Sequence, residues 1–293
     1  MKFVVEALRK LDKEDFKVLK IIEIGMSKSE YVPVEFIARG IRKDLEYVFR
    51  RLQKLSNLGL VQRMKGAYIG YMLTSRGYDC LALDTLYKRG ILRYLSLKPL
   101  GVGKESDVYE GITPSGLRVA VKLHRLGRIS FRQVKKKRTY VGKRRHISWL
   151  YEARLAAERE YTALTLLHPI GVAVPKPISW NRHVVVMSII EGIPLYECPE
   201  LDSPREVFND IIDNIKRACK DAGIVHGDLS EYNVVIQEEE RVLIIDWPQW
   251  VPSIHPSAPL LLKRDILILS KFFRRKYKVD LNVESIFSEL GVT

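Results

Sequence analysis

The segment from His226 to Asp246 constrains the fold of this chain more than any other. It reads His226-Gly227-Asp228-Leu229-Ser230-Glu231-Tyr232-Asn233, then an apolar strand Val234-Val235-Ile236, a glutamate-rich turn, and a second strand Val242-Leu243-Ile244-Ile245 that ends in Asp246. A loop that runs into a tight hairpin returns the chain on itself, so Asp228 and Asn233 arrive beside Asp246 at the far end. Two carboxylates and one amide oxygen suit Mg²⁺, a hard ion that keeps several waters and binds nucleotide phosphates through few protein ligands. In that arrangement Asn233 and Asp246 ligate the metal, while Asp228 orients the attacking hydroxyl or water and accepts its proton. His226 reads as a structural histidine that fixes the loop, because no nucleophile for it to activate stands nearby.

Upstream, Gly101-Val102-Gly103-Lys104-Glu105-Ser106-Asp107 lies between a strand ending at Leu100 and another through Val108 to Gly111. Glycines there let backbone amides approach phosphate, and Lys104 and Ser106 add a charge and a hydroxyl; alone, such a pair of glycines also describes an ordinary turn. Val119-Ala120-Val121-Lys122-Leu123 is a buried strand whose only charge is Lys122. An ammonium in that position needs an anion, since burying it uncompensated costs several kcal/mol or more. Nucleotide phosphate and a carboxylate would satisfy it. The carboxylate follows from the helix Trp149 to Leu167, which has Ala153, Ala157, Leu164 and Leu167 on one face. At roughly 100° per residue Glu160 falls on that inward face and Glu158 points about 200° away, so Glu160 is the partner expected for Lys122.

With 293 residues, 46% hydrophobic and 29% charged, the chain belongs to the soluble globular class and has room for two domains. No apolar run approaches the 18 or so residues of a membrane span, and Glu6, Arg9 and Lys10 come too early for a signal peptide, so no membrane partner and a cytoplasmic location are expected. Cys80, Cys198 and Cys219 lie far apart without CxxC spacing and read as buried small hydrophobes. The net charge of +14 is concentrated: ten basic residues and no acidic one lie between Arg125 and Arg145. Such a block repels itself and stays mobile until a polyanion neutralises it, which makes RNA the partner to test first; a merely solvated loop is the alternative.

Residues 1 to about 90 have the order of a winged helix. Lys13 to Gly25 and Val34 to Arg39 read as helices, and Asp44 to Asn57 as a third with Leu45, Val48, Leu52 and Leu55 on one face, closed by Gly59. Strands Val61 to Met64 and Ala67 to Leu73 follow around Lys65-Gly66, and Thr74 caps a last helix to about Leu86. The exposed face of the third helix is expected to carry Arg50, Arg51 and Lys54, which would suit a phosphate backbone, although winged helices also serve as packing modules. Residues 87 to 94 read as a connector. Beyond it come strands, a long helix, more strands and then helices alternating with loops, an α+β arrangement of two lobes.

Taken together, GVGKESDVY, VAVK, HGDLSEYN and IIDWPQ resemble the protein-kinase superfamily, and specifically the atypical RIO kinases. SFRQVKKKRTY, SWLYEARLAAEREY, VPKPISWNRH and the amino-terminal winged helix are similar to the second RIO subfamily, over nearly the whole chain. The fold class implied is α+β: an N-terminal winged helix over 1–90, a kinase-like N-lobe over 91–190 with a flexible basic loop at 125–148, and a shortened C-lobe over 191–293. The resemblance implies ATP and Mg²⁺ as cofactors. It matches Lys122 and Glu160 to the lysine-glutamate pair, Asp228 to the catalytic aspartate, and Asn233 and Asp246 to the metal ligands. It makes Met187 the gatekeeper and gives backbone groups of Ser188 and Ile190 the adenine, with Gly101, Gly103, Lys104 and Ser106 over the phosphates.

Departures from ordinary protein kinases bear on the acceptor. Gly227 replaces the arginine of the catalytic loop, Ser230 stands where a lysine is common, and Trp247-Pro248 replaces Phe-Gly. The stretch after Asp246 leaves room for a terminal helix or two, including about Leu260 to Tyr277, but not for a peptide-docking platform. The resemblance therefore implies maturation of the small ribosomal subunit, with ATP hydrolysis or self-phosphorylation in place of peptide phosphorylation in trans, and contact with rRNA through the winged helix and residues 125–145. Ser130 or Ser148 would be acceptors in cis. HGDL with a following Asn also resembles aminoglycoside- and choline-kinase-like enzymes, and a nucleotide-sensing regulator that binds nucleic acid is the non-enzymatic alternative.

Overall fold

The computed structural model describes residues 1–66, 68–126 and 149–291, and the chain divides into two compact units. The first holds Met1–Leu155 and Asn181–Val184, the second Ala156–Trp180 and Val185–Thr293.

The first unit opens with α1 (Lys2–Leu8) and α2 (Lys13–Gly25). Asp12 caps α2 by accepting from the Glu14 and Asp15 amides, and Asp15 returns the bond to Asp12 N–H. β1 (Val32–Pro33), α3 (Val34–Ile41) and α4 (Leu45–Asn57) follow, then the hairpin of β2 (Val61–Lys65) and β3 (Ile69–Leu73), and α5 (Ser75–Lys88). The strand order β1-β3-β2 and the sequence helix, helix, hairpin, helix are those of a winged helix. Thr74 caps α5 as its sequence context predicts, and Asp44, expected as the first residue of the third helix, stands one position before α4 as its cap. α1 escapes a periodicity reading because it has only seven residues and no side-chain cap.

Packing corrects two details of this domain. Leu45 is 43% exposed, and α4 buries Val48, Leu52 and Leu55 instead. Arg51 and Lys54 are half-buried and engaged in ion pairs: Arg51 Nη1 lies 3.2 Å from Asp15 Oδ1, and Lys54 Nζ pairs with Asp15 Oδ2. Asp15 is fully buried on α2, and a buried carboxylate draws in the nearest cations. Of the three basic residues expected on the exposed face, Arg50 is the one whose side chain is mostly open to solvent.

β4 (Tyr94–Val102), β5 (Ser106–Ile112) and β6 (Arg118–His124) then form an antiparallel meander. Val102 pairs with Asp107, and Gly103 N–H donates to Ser106 O at 2.8 Å. The glycine-rich segment is thus a tight turn with Lys104 and Glu105 at its tip. The basic block from 127 to 148, with Ser130 and Ser148, lies outside the described residues. Arg125, the first member of that block, is held in ion pairs with its side chain 10% exposed.

In the second unit α6 (Trp149–Leu167) contributes its residues from Ala156 onward; the helix has the predicted bounds. β7 (Pro177–Asn181), β8 (Val184–Ser188) and β9 (Ile193–Pro194) lead to α7 (Pro204–Lys220), whose apolar face of Val207, Phe208, Ile211, Ile212 and Ile215 is buried. β10 (Ile224–Val225), β11 (Val234–Ile236), β12 (Val242–Ile244) and β13 (Val251–Pro252) carry the central loops. β11 lies between β12 and β9, and β10 pairs with β13. α8 (Ala258–Tyr277) and α9 (Val283–Leu290) complete the unit. Cys80 and Cys198 are buried and Cys219 partly so, all three free. Among the described residues no helix is long and apolar enough to cross a membrane.

Candidate active site

β10 delivers the chain to His226, and the loop that follows is fixed from three sides. His226 Nδ1 accepts the Asp228 amide at 3.3 Å, which leaves the ring proton on Nε2 to meet Ile245 O at 3.1 Å. The imidazole also rests on Trp247, with ring centroids 4.5 Å apart. Gly227 has φ +77°, and a Cβ there would lie 2.9 Å from Gln249 O. Backbone and space together exclude the arginine that ordinary kinases place at this point.

Both sides of the Gly227 peptide are clamped by adjacent residues of α8. Asp265 Oδ2 accepts Gly227 N–H at 2.9 Å, and Arg264 donates to Gly227 O. Asp265 is 1% exposed; burial pushes its carboxyl up to about 6, against the pull of Arg264 and of the Leu229 and Gly227 amides. Sequence reasoning missed this pair. The signal is an aspartate in register with the buried apolar face Leu262, Ile266 and Leu269 of a helix, a position that requires partners.

The hairpin then places the acidic residues. Val234 pairs with Ile244, and Ile245 N–H donates to Asn233 O at 2.9 Å, so Asn233 stands across the ladder from the residue preceding Asp246. Asn233 Nδ2 donates to Asp228 O at 2.8 Å, which ties the loop to the hairpin and turns the amide oxygen Oδ1 away from that bond. Asp246 has φ +68°, a left-handed conformation that Asp tolerates better than most side chains, and the buried Trp247 follows it. Asp228 is exposed, with Arg264 Nη2 at 3.8 Å from Oδ1.

Among the described residues no three His, Cys, Asp or Glu side chains form a closed metal site. Asp228, Asn233 and Asp246 offer two carboxylates and an amide oxygen, a donor set that could hold Mg²⁺, which takes few protein ligands and completes its shell with water and phosphate.

Glu160 is 2% exposed on α6, and Glu158 is exposed, as helical geometry requires. Next to it, Arg159 donates to Pro248 O at 2.9 Å and stacks over Trp250, whose indole N–H returns a bond to Arg159 O at 2.9 Å. Met187 is buried at the end of β8. Ser188 N–H donates to Lys176 O at 2.9 Å, and its hydroxyl oxygen accepts Lys176 N–H at 3.0 Å. In the first unit Lys122 is 7% exposed on β6, opposite Val108 of β5. Gly101 and Lys104 are exposed, Ser106 half-buried, and the Gly103 amide is engaged in its own turn.

Residues 107–286 match the family described as RIO domain, and residues 8–89 the family described as Rio2, N-terminal. The chain is 41% identical over 266 residues to the RIO-type serine/threonine-protein kinase Rio2 of Methanocaldococcus jannaschii, covering 89% of this chain and 96% of that protein. It is 39% identical over 277 residues to the serine/threonine-protein kinase rio2 of Dictyostelium discoideum, covering 94% of this chain and about half, 53%, of that longer protein. Among solved structures, the Rio2 kinase-ADP/Mg²⁺-phosphoaspartate complex from Chaetomium thermophilum superposes with a TM-score of 0.82 at 36% identity, over 94% of this chain and 84% of that one. With both of its characteristic domains matched in order, this chain belongs to the RIO family of serine/threonine-protein kinases, in the Rio2 branch.

Proposed function

We propose that this chain binds Mg-ATP and transfers the γ-phosphoryl group to its own Asp246, from which water removes it, and that this cycle serves maturation of the small ribosomal subunit. The observation that supports the reading is the hairpin register, in which Asn233 stands opposite Ile245, the residue before Asp246, while the Asn233 side chain donates to the backbone of Asp228. The Chaetomium relative, captured with ADP, Mg²⁺ and phosphoaspartate, supports an aspartate as acceptor.

In this reading an Asp246 carboxylate oxygen attacks the γ-phosphorus, the bond to the β-phosphate oxygen breaks, and ADP leaves with the electron pair. Water then attacks the acyl phosphate, Asp228 takes its proton, and phosphate departs to restore the carboxylate. A bound Mg²⁺, held by Asn233 and Asp246, would neutralise charge on the phosphate oxygens. Lys122 and Glu160 hold the nucleotide, Gly101, Gly103, Lys104 and Ser106 cover its phosphates, and the Ser188 carbonyl and Ile190 amide take adenine beside Met187. The net charge of +14 favours rRNA as the partner, through Arg50 of the winged helix and the basic residues beyond Arg125.

Steady-state ATP turnover tests the proposal. Asp228→Ala and Asp246→Ala are expected to lower kcat by roughly 10²- to 10⁴-fold in folded protein. Unchanged turnover in both would exclude it.

A further inference from the structure

The glycine-rich turn is anchored to the winged helix by a buried ion cluster within the first unit. Asp79 lies on α5 of the winged helix and Asp107 at the base of the turn, each with a side chain 4% exposed, and Arg125 joins them at the end of β6. The Arg125 guanidinium meets Asp79 with both terminal nitrogens, Nη1 to Oδ1 at 2.6 Å and Nη2 to Oδ2 at 3.0 Å. Its Nε donates to Asp107 Oδ2 at 2.9 Å. The Arg125 amide donates to Glu105 O at 2.6 Å, so the same residue grips the tip of the turn by its backbone and the base by its side chain. His183 completes the shell with Nε2 2.7 Å from Asp79 Oδ1, and its ring stacks on Tyr78 at 4.6 Å.

A fork of this kind fixes a plane as well as a distance, because both guanidinium edges are engaged by carboxylates held on different elements. Burial alone would raise the Asp79 carboxyl, yet the hydrogen bond from His183 and the Arg125 charge hold it below its ordinary value. With Asp79 removed, Arg125 would keep one carboxylate and lose its orientation, and the turn would lose a support beneath Glu105. Lysine at 125 would keep the charge but could not make the fork and the Nε bond together.

We propose that Arg125 is a positioning residue for the glycine-rich turn and that Asp79, supplied by the winged helix, sets its orientation, so that the amino-terminal domain helps to shape the nucleotide-binding turn. This rests on the reading of that turn as the cover of the ATP phosphates.

The test combines kinetics with amide hydrogen exchange on the full chain. Asp79→Asn and Arg125→Lys are each expected to raise KM for ATP by roughly 5- to 50-fold with kcat changed less than about threefold, and to speed exchange at Gly103. The double variant is expected to resemble either single one, since both remove the same fork. A merely structural role would lower the melting temperature without splitting KM from kcat. Wild-type KM and wild-type Gly103 exchange in folded Arg125→Lys overturn the proposal. In the unsubstituted chain the Gly103, Arg125 and α5 amides are expected to share one opening free energy; independent opening also overturns it, even if both variants fail to fold. Absence of ATP turnover in wild type would instead count against the kinase cycle, leaving exchange to judge the clamp.

Discussion

Asp265 accepts the Gly227 amide at 2.9 Å, joining the middle of α8 to the loop that carries Asp228. The neighbouring Arg264 donates to Gly227 O and approaches the Asp228 carboxylate, so one helical turn sets both the peptide and the charge environment of the loop. Asp265→Ala is expected to leave the Gly227 and Leu229 amides without an acceptor. The cost should be about 1–3 kcal/mol of stability with a fall in kcat of tenfold or more. Chemical denaturation and ATP turnover of the purified variant check both.

The same carboxylate makes a pH prediction. Its folded pKa of about 6 lies above the ordinary 3.8, so the folded state holds a proton that the unfolded chain has released between those values. The stability from Asp265 is therefore fully present below about pH 4 and is lost as pH rises toward and through 6, by about 3 kcal/mol at most for a shift of about two units. Asp12 and Asp79, held below their ordinary values, act in the opposite direction and at lower pH. The difference in unfolding free energy between wild type and Asp265→Asn, measured from pH 4 to 7, isolates the Asp265 contribution. It should change by that order in favour of the variant as pH rises.

Gly227→Ala forces a side chain onto φ +77° and to within 2.9 Å of Gln249 O. Strain and contact together should cost about 1–3 kcal/mol and displace Asp228. Thermal unfolding should show the loss, and turnover should fall by more than stability alone explains.

How much of this was legible in the sequence depends on whether the signal was local. The hairpin 234–244 and helix 149–167 follow from strand alternation and helical periodicity, and the burial of Glu160 from helix geometry alone. The pattern of α4 gave its face but not its partners: Arg51 and Lys54 turn to Asp15 because that carboxylate is buried on another helix, 36 and 39 residues away in sequence. Asp265 and the Asp79–Arg125 pair were hidden for the same reason, since their function is visible only once remote backbone amides and cations are placed around them.

The ion pairs on α4 separate two basic residues that look alike in sequence. Arg51→Ala should destabilise the winged helix by roughly 1–3 kcal/mol, because Asp15 would keep only Lys54 and the capping interaction. Arg50→Ala, at an exposed position, should leave stability within about 0.5 kcal/mol and, if this face meets RNA, lower the salt dependence of binding by about one charge. Denaturation and RNA titrations at several salt concentrations check the pair.

The site of phosphoryl transfer is tested most directly by incubating the protein with Mg²⁺ and γ-³²P-ATP, quenching, and following the label on the chain. The account expects an acyl phosphate that is stable in mild acid, labile to base and hydroxylamine, mapped to Asp246, and absent from Asp246→Asn. Label that survives in Asp246→Asn, or that behaves as phosphoserine, would contradict it.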